Sequence, residues 1–187
     1  VLAPRARGGA RGAGVRLLQR GLARLGYAVP RSGVLDGGTA RAVTAYRKVN
    51  GMRRTSSASA PVIRAVLSGR GAFKPRHPGA GRHVEADLSR QVLALVDKGR
   101  VVRTYITSSG APSTPTVIGS FRVYRKDPGT NSLGMVHSAY FIRGYAVHGY
   151  KSVPTYNASH GCLRVPIPDA RAIYDWLRMG DRVIVYR

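Results

Sequence analysis

One cysteine, Cys162, is all the thiol the 187-residue chain carries. It excludes an intramolecular disulfide, and it leaves two readings, a small buried hydrophobe or a reactive group. Acidic residues are scarce as well: 8 Asp and Glu stand against 31 Lys and Arg, a formal charge of +23. Long apolar runs are missing. The densest, Val92 to Val96, falls far short of the ~20 residues a membrane-spanning helix needs. The opening residues mix Arg with Gly and Ala and have no apolar signal-peptide segment, and the chain begins at Val1. That opening fits a trimmed or mature start and is compatible with export.

The basic excess is mostly arginine, only five of the 31 being Lys. Such a field attracts polyanions, and nucleic acid is the first to weigh. The Arg residues are scattered along the chain, however, and zinc-finger spacing, a basic-leucine pattern and aromatic-basic ribonucleoprotein motifs are all missing. No nucleic-acid partner is therefore expected. An anionic cell wall fits the charge equally well, as does a simply solvated surface.

The first part of the chain reads as helical. Val15, Leu18, Leu22 and Leu25 recur on one helix face until Gly26 stops the pattern. After the turn-rich stretch 29–38, a second helix is expected from Thr39 as N-cap, with Ala42, Val43, Tyr46 and Val49 inward. Pro61 can open a third, with Val62, Val66 and Leu67 inward and Gly69 at its end. Three short helices with polar loops make a small all-α bundle over residues 12–69. The pattern Leu17–Tyr27, then Gly33-x-x-Asp36-x-x-Thr39, then Ala42-Val-x-x-Tyr46 and Asn50-Gly51 resembles the peptidoglycan-binding domain 1 family. The resemblance implies a compact three-helix module that binds wall glycan.

Residues 70–81 are dense in Gly, Pro and charge and read as a linker, in which His77 and the adjoining His83 are expected to be solvated. Beyond it the period becomes strand-like. Gln91–Val96 and Val101–Ser108, joined by the turn Asp97-Lys-Gly-Arg100, form a hairpin. Further strands are expected at Gly119–Tyr124, Ala139–Ile142, Tyr145–His148 and Asp181–Tyr186, and a helix from Pro168 to Leu177. Residues 82–187 thus make a mainly β domain, sandwich- or barrel-like, with a few short helices.

Chemistry concentrates between 148 and 164, where two histidines, the solitary thiol and an arginine fall within one polar segment. A free thiol ionises near pH 8.5 and needs a base or positive surroundings to attack near neutrality, and this neighbourhood offers both. Ser159-His-Gly-Cys-Leu-Arg164, with His148-Gly149 upstream, resembles the catalytic signature of the YkuD-type L,D-transpeptidase domain. Thr114-Pro-Thr-Val-Ile-Gly-Ser-Phe121 is similar to that family's Thr-Pro-x-Gly-x-Phe element, two residues longer before the glycine. The resemblance covers residues 83–187.

It implies a secreted enzyme of the bacterial cell wall or periplasm that acts on peptidoglycan stem peptides, is a carbapenem target and uses no cofactor or metal. By position, Cys162 matches the nucleophile that attacks the carbonyl before a terminal D-alanine, and His148 the general base. The Gly149 carbonyl takes the orienting place of a triad acid. The Gly161 and Cys162 amides would form the oxyanion hole. Arg164 would pair with a substrate carboxylate. His160 and Ser159 would shape the loop or line the acyl pocket. His137, Tyr140 and Trp176 are read as structural. The acceptor, a second stem peptide, a protein amine or water, stays open, with crosslinking the default. Two rivals stand beside this reading: a zinc hydrolase using His148, His160 and Cys162 as ligands, and a non-catalytic wall or polyanion binder with an inert thiol.

The charge makes a test. Binding to insoluble peptidoglycan sacculi should fall steeply as salt rises from 0.1 to 1 M, because the Debye length drops from ~10 to ~3 Å. Acylation of Cys162 by a small carbapenem, followed by intact mass, should change little over the same range. Salt-independent sacculus binding would assign the excess Arg to a merely solvated surface.

Overall fold

In a computed structural model, residues 8–187 and the backbone of Arg5 and Ala6 are described. In chain order the elements are β1 (Arg5–Ala6), α1 (Ala13–Arg24), α2 (Gly37–Val49), β2 (Ala58–Ser59), α3 (Ala60–Leu67) and a 3-10 turn (Pro78–Ala80). Then follow β3 (His83–Asp87), β4 (Val92–Asp97), β5 (Arg100–Ile106), β6 (Gly119–Arg122), β7 (Arg125–Thr130), β8 (Val136–Ile142), β9 (Tyr145–Tyr150), β10 (Leu163–Pro166), α4 (Ile167–Trp176) and β11 (Arg182–Tyr186). The contacts divide them into two units. One runs to Lys74 and includes Arg103–Tyr105; the other holds Pro75–Val102 and Ile106–Arg187. Among the described residues no helix is long and apolar enough to cross a membrane.

The first unit is helical, with the short β1–β2 pair beside its three helices. Its core is the stripe read from the sequence: Val15, Leu18, Leu22 and Leu25 of the first helical segment, and Ala42, Val43, Tyr46 and Val49 of the second, are all buried. Two details differ. Helix α2 starts earlier than expected, because Asp36 caps it and accepts the Thr39 N–H at 2.8 Å, the standard side-chain solution for an unpaired first-turn amide. In α3 it is Ile63 that is buried, while Leu67 is 41% exposed; Ile63 lies one residue from Val62 and three from Val66, on the face those two share.

Gln19 is a fully buried polar residue within this apolar stripe. Its Nε2 donates to the Val34 carbonyl at 2.9 Å and to Thr39 Oγ1 at 2.8 Å, and its Oε1 accepts the Gly33 N–H at 2.8 Å. One side chain thus fastens the whole Gly33–Thr39 turn to α1 and satisfies its own polar atoms, as burial requires.

The second unit carries a sheet of order β10-β9-β8-β7 and one of order β5-β4-β3-β11-β6. Strands β3, β7 and β10 complete these sheets beyond the strands read from the sequence. β3, His83-Val-Glu-Ala-Asp87, alternates polar and apolar residues, but both of its faces are buried and it lies directly after the Gly- and Pro-rich stretch, so its polar residues read as solvated. β7 contains Pro128 and Gly129 and carries a register irregularity, which masks the strand period.

Between the end of the first unit and β3, Glu85 organises the chain. Its buried carboxylate accepts the Arg76 N–H at 2.8 Å, the His77 N–H at 2.7 Å and the Tyr186 hydroxyl at 2.8 Å. His83 is not solvated, as the sequence suggested, but fully buried, with Nε2 3.2 Å from Glu85 and Nδ1 2.9 Å from the Gly81 carbonyl. His77 is half-buried and meets the Tyr186 ring edge-on. Burial pushes the Glu85 carboxyl up, but the Arg76 and His77 amides, with help from Tyr186 and His83, outweigh it and leave it below its ordinary value.

The ionised form is thus the one the fold favours. Its contribution is complete above the unfolded value of 4.5 and is lost as pH falls through the lower folded value. Glu85→Gln should cost about 2–3 kcal/mol at pH 7 by urea unfolding, and should remove part of the acid-side loss of stability seen in the parent. Equal unfolding midpoints at pH 7 would refute this account of Glu85.

Candidate active site

Two strands assemble the site. β10 runs parallel to β9 with Leu163 opposite Val147 and Arg164 opposite His148. Neighbouring residues across a sheet share a face, and alternate residues return to it. His148, Tyr150, Arg164 and, one residue ahead of β10, Cys162 accordingly project to the same side. They line a cavity of about 450 Å³ together with Met135, Tyr145, Ser159 and His160.

His148 is 3% exposed. Its Nδ1–H donates to the carbonyl of Gly149 at 2.9 Å, which fixes the tautomer and leaves Nε2 with the free lone pair. Tyr150 meets the imidazole edge-on, with centroids 5.7 Å apart. Gly149 is needed for a second reason: a Cβ there would stand 2.6 Å from the Ala170 methyl of α4 and 3.1 Å from Val136. The bare backbone lets α4 press directly on the strand that carries the histidine.

Cys162 is half-buried and packs against Met135, Tyr140 and Ala146, its Sγ 3.9 Å from the Gly144 carbonyl. The loop before it is tightly held. Ser159 Oγ donates to the Cys162 carbonyl at 2.6 Å and accepts the Gly161 N–H at 3.1 Å. The amides of Ala158 and Ser159 both donate to the Ser109 carbonyl, at 2.8 and 2.9 Å. Ser109 is clamped by Gln91, whose Oε1 accepts its N–H at 2.9 Å and whose Nε2 donates to its hydroxyl at 2.6 Å. Thr114 Oγ1 donates to the Ser159 carbonyl at 3.1 Å, and Thr116 Oγ1 accepts the Gly110 N–H at 2.8 Å. The first half of the Thr114–Phe121 element is therefore a prop for the cysteine loop. Gly161 sits at φ +114°, and a Cβ there would come within 2.5 Å of the Tyr145 ring; both facts demand glycine.

Two features bear on the chemistry expected here. The Gly161 amide donates to Ser159 Oγ, so it would have to leave that partner to serve an oxyanion. Positive surroundings do not win at the thiol either. Burial pushes Cys162 above its ordinary value, against a backbone hydrogen bond from Ala146 and the charge of Arg164. Burial likewise pushes His148 down, the Gly149 bond opposes this, and the Arg164 charge adds to it. Both shifts favour a neutral thiol beside a neutral imidazole.

Arg164 spends part of its fork on local structure, Nη1 donating to the Ala158 carbonyl at 3.2 Å with the guanidinium 4.2 Å over Tyr150. It still lines the cavity. His160 is exposed at the rim and Ser159 buried in the loop. His137 lies elsewhere, its Nδ1 accepting the Gly129 N–H at 3.1 Å. Among the described residues, no group of three or more His, Cys, Asp and Glu is placed to hold a metal ion, which leaves the zinc alternative without a ligand set. Tyr145, Tyr150 and Gln91 are additions to the site. Extending the β9 alternation two residues past His148 would have marked Tyr150; Gln91 has only its left-handed φ of +56° to distinguish it, which no sequence pattern reveals.

The chain matches the family model for the L,D-transpeptidase catalytic domain, YkuD, over residues 81–185 and that for a putative peptidoglycan binding domain over residues 11–63. It is similar to the crystal structure of an L,D-transpeptidase from Xylanimonas cellulosilytica, with 34% identity, a TM-score of 0.90, and coverage of 100% of this chain and 99% of that one. L,D-transpeptidase 1 of Mycobacterium tuberculosis is 29% identical over 121 residues, 54% of this chain and 48% of that protein. The chain thus spans about half the length of the curated relatives it matches. An L,D-transpeptidase solved in complex with imipenem shares 27% identity with a TM-score of 0.51, over 57% of this chain and 59% of that one. On the family match over residues 81–185 and on the Xylanimonas likeness, the chain belongs to the YkuD family of L,D-transpeptidase catalytic domains.

Proposed function

We propose that the chain is a peptidoglycan-crosslinking L,D-transpeptidase that works through a thioester on Cys162. The observation that carries the reading is the convergence of Cys162 and the Gly149-oriented His148 in one cavity. His148 Nε2 takes the thiol proton as Sγ attacks the carbonyl before the terminal D-alanine of a stem peptide. The oxyanion meets the Cys162 amide. Collapse expels D-alanine, protonated by the imidazolium, and leaves the thioester. The amine of a second stem peptide then attacks, giving its proton to His148, and the thiol is restored as a 3-3 crosslink forms. Arg164 supplies its remaining donors to a substrate carboxylate. Extracytoplasmic action at the cell wall follows from the substrate, and the same thiol is the site a carbapenem acylates.

A neutral resting pair has a kinetic signature. Acylation of Cys162 by a carbapenem should rise with pH through the lowered His148 value, below 6.5, then stay level until pH approaches the raised thiol value above 9. A preionised thiolate with an ordinary value would instead climb about tenfold per pH unit from 7 towards 8.5. Cys162→Ala should give no adduct and no D-alanine release while unfolding at the parent midpoint. Cys162→Ser should lose at least about 10³-fold, because its hydroxyl is a far weaker acid. Release of D-alanine by the alanine variant at the parent rate would end the cysteine mechanism.

We further propose that residues 12–69 serve as a separate glycan-binding module and 82–187 as the catalytic domain. Removing residues 1–69 should lower sacculus binding several-fold and spare carbapenem acylation. Loss of both together would place part of the catalytic domain in the helical segment.

A further inference from the structure

A second cavity of about 450 Å³ lies in the catalytic unit, and none of its lining residues lines the Cys162 cavity. It is lined by Gly79–Gly81 and Gly180 together with Arg82, Arg122, Arg182 and Asp181. Three arginines thus share the lining with one carboxylate.

That carboxylate is already spent. Asp181 accepts Arg82 Nε at 3.1 Å and the Arg178 N–H at 2.9 Å. Arg82 is immobilised further, with its guanidinium 3.7 Å over the Trp176 ring and Nη2 donating to the Trp176 carbonyl. It presents a fixed edge.

Arg122 and Arg182 are different. Both are exposed, and they stand directly opposite each other across the antiparallel β6–β11 pair. Opposed residues in such a ladder have Cβ atoms about 5 Å apart, where like charges repel. Arg122 reaches one neutral acceptor, the Gly180 carbonyl, at 2.9 Å. Neither has an ion pair among the described residues. Two uncompensated guanidinium groups at the mouth of a cavity, beside a third held rigid by stacking, are a receptor for an oxyanion, since the planar fork of Arg matches phosphate and carboxylate in two-point contact. A tetrahedral anion can bridge forks from several directions, whereas a carboxylate is planar and offers two oxygens. The backbone wall of Gly79 and Gly81 also leaves room for a bulky group to approach.

We propose that Arg82, Arg122 and Arg182 form an anion-binding site for a phosphate ester group, separate from the catalytic cleft. A free phosphate monoester and the phosphodiester of an anionic polymer present the same chemistry to it. The proposal does not depend on the transpeptidase reading, because the site and the thiol share no residue.

The test uses the full chain and the double variant R122Q/R182Q, titrated by calorimetry with inorganic phosphate, dimethyl phosphate and acetate at constant ionic strength, so that general screening is the same throughout. The parent should bind inorganic phosphate saturably at one site, and the double variant at least about tenfold more weakly. Acetate should bind the parent distinctly more weakly than phosphate. Saturable binding of dimethyl phosphate as well would identify a diester polymer as the natural source, and binding of inorganic phosphate alone a free monoester. A cooperative urea-unfolding transition in the double variant, as in the parent, would show that the folded state is intact. The proposal is overturned by no saturable binding, by equal binding in the folded double variant, or by acetate binding as tightly as phosphate.

Discussion

The catalytic unit depends on one close approach. Helix α4 lies against β9 at Gly149, where no side chain would fit. That contact sets the position of the strand, and the strand sets the histidine. The carbonyl of the same glycine then fixes the tautomer of His148. Because β10 pairs with β9 in parallel register, the cysteine that precedes it is carried to the same face. Parallel neighbours need a connection longer than a tight turn, and here the connection, residues 151–162, is itself the loop that shapes the cleft.

Burial moves the two halves of the proposed pair in opposite directions, the thiol up and the imidazole down. It discourages charge on the thiol and on the imidazole alike, which favours a neutral resting pair. Such a site protects a lone cysteine from casual oxidation, which favours thiolates. It also demands that the loop be rigid, since a general base helps only when it is in place. The rigidity comes from uncharged bonds: Gln91 on Ser109, Ser109 on the backbone of Ala158 and Ser159, and Ser159 on the carbonyl of Cys162. None of these partners lies within eighteen residues of the thiol except Ala158 and Ser159.

Among the described residues, four arginines lie over aromatic rings. Arg76 lies over Tyr186, Arg82 over Trp176, Arg125 over Tyr140 and Arg164 over Tyr150, at 3.7 to 5.0 Å from the ring centroids. Stacking lets a guanidinium bury its flat face while its edges stay wet; Arg82 and Arg125 combine it with an ion pair to Asp181 and Asp127. It also gives Tyr140 and Trp176, read from the sequence as packing residues, cation partners.

The helical stripe of Val15, Leu18 and Leu22, the segment His148-Gly149 and the run Ser159 to Arg164 were legible in the sequence because each is a local pattern: a period, or residue types that must be close along the chain to act together. Glu85, Gln91 and Gln19 were not. Each is a polar residue whose partners lie elsewhere in the chain, and nothing in its own neighbourhood distinguishes a buried, fully bonded side chain from a solvated one. The same holds for the charge state of the thiol. By itself the sequence singled out Cys162 and His148 as the candidate groups and determined that a helical module precedes a β domain. Only the tertiary structure decided that Gly161 gives its amide to Ser159, that burial outweighs Arg164 at Cys162, and that Arg122 and Arg182 face each other. The reason is that solvation, hydrogen-bond partners and cross-strand neighbours are properties of contacts between distant segments, which exist only once the chain has folded.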